Sequence, residues 1–133
     1  MTAAAPVPVI EGRALSKRFG GGAKQKVVEA LRDVSFKVAP ASLTALVGPD
    51  GAGKTTLIRL MTGLMAADSG DLSVLGVDPS RHPQVVQNRV GYMPQRFGLY
   101  EDLSVQENLD LYADLHGVSP DERRARYPEL MEM

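Results

Sequence analysis

Residues Leu43 to Met65 read LTALVGPDGAGKTTLIRLMTGLM. A nearly all-apolar run, Leu43–Val47, leads directly into Gly48-Pro49-Asp50-Gly51-Ala52-Gly53-Lys54-Thr55. From Lys54 to about Met65, Leu57, Ile58, Leu60, Met61 and Leu64 then recur at helical spacing. The order implied is a strand covered on both faces, a tight glycine-rich turn, and an amphipathic helix. Glycine loses the most backbone freedom on ordering, so three of them in one turn require a reason. Left-handed dihedrals and close backbone approach to something small supply it.

The spacing G-x-x-x-x-G-K-[ST] is that of a phosphate-binding P-loop. Successive N–H groups of such a loop face inward as a nest. The following helix adds its unpaired N-terminal amides and the positive end of its dipole. The dipole alone contributes about 0.3–2 kcal/mol, so Lys54 and several charge-assisted hydrogen bonds must supply the rest. By reach, Lys54 would bridge the β- and γ-phosphates and the Thr55 hydroxyl would ligate Mg²⁺, while Thr56 and the amides from Gly51 onward would hold the remaining oxygens.

The chain has 133 residues, enough for one domain with a core, and no cysteine, which removes disulfides and thiolate metal sites. Fifteen basic against sixteen acidic residues leave a net charge of −1, with no sign of a nucleic-acid binder. The distribution is uneven. Residues 1–54 carry eight Lys/Arg and four Asp/Glu, whereas residues 101–133 carry three and nine. A basic first part suits an anionic ligand, and equally a solvated surface. No apolar run approaches the roughly 18 residues of a membrane span, and MTAAAPVPV has no positive n-region. A cytoplasmic chain is expected, with any membrane link made through a partner.

Before the P-loop, VPVIEGRAL reads as a short strand whose prolines mark it as an edge. Val27–Leu31 and Val34–Val38 read as two further strands. After the helix, Asp68-Ser69-Gly70 is a turn, Asp71–Gly76 a short strand, Pro83–Val90 a weak helix, and Gly91–Gln95 a strand entering a loop. Ser104 with Glu107, and Ser119 with Glu122, form two capping boxes that open helices, the second with Pro120 at its first position. Val105, Leu109, Tyr112 and Leu115 make the stripe of the first, which Gly117 ends. Pro128 should interrupt or kink the second, and Leu130, Met131 and Met133 begin an apolar face.

VGPDGAGKTTLIRLMTGLMAADSGDLSVLG, VGYMPQRFGLYEDLSVQENL and LSKRFG together resemble the ATP-binding cassette (ABC) family: its P-loop, first helix and hairpin, its Q-loop region, and its A-loop. The resemblance extends over most of the chain and is nearest to ATPase subunits of bacterial drug- or polymer-exporting transporters. It implies an α/β fold: a P-loop NTPase core of ABC type with an antiparallel β subdomain and the start of a helical subdomain, incomplete. Residues 1–47 would form the β subdomain and entry to the core, 48–95 the P-loop, first helix, hairpin and Q-loop, and 96–133 the start of the helical subdomain. Phe19 would stack on adenine, and Gln95 would contact Mg²⁺ and the attacking water. The nucleotide contacts would come from Gly48, Asp50, Gly51, Ala52, Gly53, Lys54, Thr55 and Thr56. Phe97, Leu99 and Tyr100 would receive a membrane-spanning subunit, and two cassettes would pair in the full-length protein.

Asp50 stands where the family most often has asparagine. Its carboxylate could repel the γ-phosphate or bond to loop amides. A Mg²⁺-holding Asp at the end of a buried strand is not evident. Val74–Asp78 is the one candidate, and Gly76 and Pro79 make it a decoy in a peripheral hairpin. Glu101 and Asp102 read as solvated or capping residues, and His82 and His116 as surface histidines. The signature, aspartate strand, catalytic glutamate and switch histidine of the family are absent. The expectation is therefore an N-terminal part of an ABC ATP-binding domain that binds ATP with Mg²⁺ without turning it over alone. Two other readings stand beside it: a soluble ABC-type ATPase acting on ribosome or DNA, and a P-loop kinase using Asp78. The exposed edge of the Leu43–Val47 strand and the apolar end near Leu130–Met133 should favour aggregation.

Overall fold

The computed structural model describes residues 7–21, 26–95 and 98–132, which fall into two units, Met1–Tyr92 and Met93–Met133. In the first, strands β1 (Ile10–Phe19), β2 (Val28–Val38) and β3 (Ser69–Val74) form one antiparallel sheet in the order β2-β1-β3. Helix α1 spans Lys54–Met61 and helix α2 Pro83–Gln87. Ile10 pairs with both Val38 and Val74, so the three strands start in register around β1.

Alternation builds the core. Along β2, Val34, Phe36 and Val38 are half-buried while Ser35 and Lys37 are exposed. Leu15 and Leu31 from the sheet and Leu57 and Leu60 from α1, three residues apart on one helical face, form the buried cluster, with Met61, Met65 and Leu72 packed around it. Burying one such leucine contributes about 1.5–3 kcal/mol.

The sheet differs from the sequence reading in a consistent way. β1 is the central strand, not an edge, because its prolines lie ahead of it: Pro8 precedes Ile10, and Pro6 lies outside the described residues. The two strands read at Val27–Leu31 and Val34–Val38 are one, β2, bent at Asp33. Its left-handed φ of 49° is matched across the ladder by Ala14, also at 49°. Each bulge is stapled by a hydroxyl on the other strand: the Ala14 N–H donates to Ser35 Oγ at 2.9 Å and the Asp33 N–H to Ser16 Oγ at 3.0 Å. The turn read at Asp68–Gly70 has already become strand at Ser69.

Two expected strands do not form. Leu43–Val47 and Gly91–Gln95 are irregular, with Leu43 and Val47 among the most exposed apolar residues. A strand exists only as part of a ladder, and among the described residues neither segment has a pairing partner. Helix α1 is also shorter than read, closing at Met61 with Thr62 Oγ1 donating to the Ile58 carbonyl.

In the second unit, helices α3 (Val105–Leu115) and α4 (Pro120–Met131) both start with the expected capping boxes. The Ser104 N–H donates to Glu107 Oε2 at 2.8 Å and the Ser119 N–H to Glu122 Oε2 at 3.0 Å. Arg123 joins the helices, donating to the Val118 carbonyl at 2.9 Å and pairing with Asp114 at 2.6 Å. The Tyr127 hydroxyl donates to Asp110 at 3.1 Å, and burial together with that carboxylate raises its pKa. Helix α4 runs through Pro128 instead of stopping there, since an exposed helix forfeits one amide bond at proline and keeps the rest. The apolar stripe of α3 is not its buried face. Val105 and Leu115 are exposed, and Asn108 and Ala113 are the buried positions. Leu130 and Met131 are exposed as expected, and Met133 lies outside the described residues.

Candidate functional site

The glycine-rich turn holds the shape its sequence requires. Gly51 and Gly53 sit at φ 79° and 89°, left-handed values that glycine reaches without cost. Gly53 is the N-cap of α1 and offers no side chain to its first turn, which also contains no acid. The Leu57 N–H donates to the Gly53 carbonyl at 2.9 Å, the first bond of the helix. The amides of Lys54, Thr55 and Thr56 precede that bond, so they are the orphan donors of the helix N-terminus. Orphan donors at the positive end of a helix dipole fit an anion.

Lys54 closes the loop. Its ammonium donates to the carbonyls of Gly48 and Pro49, both at 2.6 Å, across the mouth of the turn. A cation held by two neutral carbonyls keeps its full charge available, and an incoming phosphate oxygen can replace them with a charge-assisted bond. Thr55 is exposed and Thr56 half-buried beside it. Asp50 and Ala52 lie on the exposed outer rim, where the Ala52 N–H donates to the Pro49 carbonyl at 3.3 Å.

A neighbouring strand braces the turn. A Cβ on Gly53 would stand 2.3 Å from the Ala30 carbonyl oxygen and 3.0 Å from Leu31 Cδ2, so the loop packs directly on the backbone of β2. Two residues before Ala30, Val28 pairs with Phe19 at the end of β1. Phe19 is 39% exposed there. The hairpin that carries Phe19 is thus docked to the glycine-rich loop through β2.

No group of three or more His, Cys, Asp or Glu side chains that could hold a metal occurs among the described residues. Asp78 is otherwise engaged. It accepts from the Ser80 amide at 2.8 Å and the Ser80 hydroxyl at 2.7 Å, and these bonds hold its carboxyl below the usual range. It organises a turn.

In the second unit, Gln95 is exposed at a bend. Phe97 lies outside the described residues, and Leu99 and Tyr100 are exposed. Behind them is a residue that sequence reasoning passed over. Asn108, 8% exposed, accepts from the Tyr100 N–H at 2.9 Å and donates to the Tyr100 carbonyl at 3.0 Å and to those of Leu103 and Ser104 at 3.1 Å. It pins the loop to α3. The available signal was an asparagine one turn inside a capped helix, a position that helix propensity disfavours.

A family model described as ABC transporter matches residues 31–133. The chain belongs to that family. Among curated relatives of this ABC chain is the probable multidrug ABC transporter ATP-binding protein YbhF of Escherichia coli (strain K12). It is 46% identical over 124 residues, covering 93% of this chain and 21% of the relative. The Nod factor export ATP-binding protein I of Paraburkholderia xenovorans (strain LB400) is 38% identical, covering 96% and 40%. The chain therefore spans less than half the length of these relatives. A solved ATP-binding subunit of an ABC transporter superposes with a TM-score of 0.74 at 35% identity, over 93% of this chain and 49% of that one. The dimeric cassette MJ0796, in a post-hydrolysis state bound to ADP and Pi, gives 0.75 at 21% identity over 92% and 56%, a likeness of fold. Both solved chains are ABC cassettes, so the expected α/β P-loop NTPase fold holds for this ABC chain. No helix among the described residues is long and apolar enough to cross a membrane.

Proposed function

We propose that the chain is the ATP-binding part of an ABC transporter subunit that powers export through a membrane-spanning partner. The observation that carries this reading is the N-terminus of α1: three orphan amides, a left-handed Gly53, and Lys54 across the loop mouth. Gly48, Asp50, Gly51, Ala52, Gly53, Lys54, Thr55 and Thr56 hold the phosphates of ATP in this reading, Thr55 ligates Mg²⁺, and Phe19 stacks on adenine. Bound Mg²⁺ supplies charge neutralisation between the β- and γ-phosphates.

By the family resemblance, Gln95 would serve as the link between nucleotide and partner, and Leu99 and Tyr100 would offer apolar surface to the membrane subunit. Residues 1–47, 48–95 and 96–133 are the β subdomain, the nucleotide-binding core and the start of the helical subdomain. Of the curated relatives named above, one is a probable multidrug ABC transporter ATP-binding protein and the other a Nod factor export protein, and the latter favours export as the direction of transport. The subunit works at the cytoplasmic face of the membrane and pairs with a second cassette. The sequence has no LSGGQ segment, so this stretch is assigned binding and not turnover by itself.

Calorimetric titration of MgATP into the folded chain tests the reading. Saturable binding that Lys54→Ala removes, without steady phosphate release, supports it. No heat at millimolar MgATP, or phosphate release that depends on Lys54, contradicts it.

A further inference from the structure

Beside the ring of Phe19 stands a cation that no part of the phosphate site requires. Lys17 Nζ lies over the ring, 5.8 Å from its centroid, and donates to Asp68 Oδ1 at 2.6 Å. The Lys17 side chain is only 16% exposed, so it is laid down against the protein instead of extended into water. Asp68 holds the same stretch of β1 twice more. Its other carboxylate oxygen accepts the Arg18 N–H at 2.7 Å, and its own N–H donates to the Ser16 carbonyl at 2.9 Å. The three residues before Phe19 are therefore clamped by one aspartate on the segment that returns from α1. Bonds from Lys17 and the Arg18 amide hold the Asp68 carboxyl below its ordinary value.

Helix α1 thus connects to the Phe19 hairpin at both ends. At its N-terminus Gly53 packs on Ala30 of β2, and beyond its C-terminus Asp68 grips β1.

Resting on the nucleotide reading above, we infer that Lys17, anchored by Asp68, is a positioning residue for the base: it covers one face of Phe19 and leaves the opposite face for the purine. A cation above an aromatic ring is attracted by the ring quadrupole. It fixes the ring's orientation and draws electron density away from the far face. Two π-faces repel less when one is depleted, so a purine stacks more favourably on that far side. A base-free polyphosphate gains nothing from this arrangement.

The readout is the ratio of affinities for MgATP and for magnesium tripolyphosphate, measured by calorimetry on wild type, Phe19→Ala, Lys17→Met, Lys17→Arg and Asp68→Asn, each checked for fold by circular dichroism. Lys17→Met is expected to weaken MgATP about two- to five-fold and leave tripolyphosphate unchanged, with Lys17→Arg restoring the wild-type ratio. Asp68→Asn, which keeps an acceptor for Arg18 and loosens Lys17, should lower the ratio in part, and it carries the test if Lys17→Met does not fold. An unchanged ratio in these variants while Phe19→Ala lowers it, or an equal loss for both ligands, overturns the inference and leaves the nucleotide reading standing. Failure of wild type to bind MgATP, or an unchanged ratio in Phe19→Ala, overturns the nucleotide reading of this site and the inference with it.

Discussion

Gly53 of the glycine-rich loop rests on Ala30 of the β1–β2 hairpin so closely that a Cβ would stand 2.3 Å from the Ala30 carbonyl oxygen. This one contact joins the turn that precedes α1 to the strand that pairs with Phe19. Gly53→Ala would force both a steric shift and a left-handed alanine, the latter alone worth about 1–3 kcal/mol. Gly51, also left-handed, has nothing within 4 Å of its would-be Cβ. Urea denaturation is expected to show Gly53→Ala clearly less stable than Gly51→Ala, and MgATP titration to show only Gly51→Ala retaining measurable binding.

The core cluster gives a second contrast. Leu60 is 1% exposed and Leu64 is 56% exposed. Leu60→Ala should cost about 2–5 kcal/mol, and Leu64→Ala less than about 0.5 kcal/mol. Chemical denaturation midpoints at constant m-value measure both.

Asn108 should behave as a local pin. Replacing it by Leu leaves the Tyr100 N–H and three carbonyls without their side-chain partner, at about 1–3 kcal/mol for each group left unsatisfied out of water. The Tyr100 amide is expected to exchange with solvent faster, while amides of the β1–β2–β3 sheet keep their protection. Residue-resolved hydrogen exchange separates these outcomes.

The capping boxes set an acid limb. Bonds from the Ser104 hydroxyl and amide lower Glu107 from its ordinary 4.5, and the equivalent bonds from Ser119 lower Glu122. A carboxyl depressed in the folded state stabilises fully above its unfolded value and loses that contribution as pH falls through the folded one. Helicity of α3 and α4 should therefore hold to about pH 4.5 and decline below it. Glu122→Gln should abolish the acid transition of the Ser119 amide in an NMR titration.

What could be read from the sequence was whatever local chemistry decides. The glycine-rich turn into a helix and the two capping boxes each rest on groups reaching a few residues away, and each is present. What could not be read depends on distant partners. Prolines ahead of β1 marked it as an edge, yet its neighbours come from residues 28–38 and 69–74. Leu43–Val47 has the composition of a buried strand and remains irregular, because a ladder needs a second chain segment beside it. Asn108 and the Lys17–Asp68 pair act across eight and fifty-one positions, beyond the range of any local pattern. The exposed Leu43, Leu46 and Val47 keep the expectation of association with another strand open to sedimentation analysis.

The backbone amides of Gly51 to Thr56 offer the most direct test of how this chain meets a nucleotide. In a ¹⁵N-correlated NMR titration with MgATP, those amides should shift most and saturate together, and the shifts should vanish in Lys54→Ala. Unmoved loop amides at millimolar MgATP, or shifts that survive the loss of Lys54, would contradict a phosphate cradle at the start of α1.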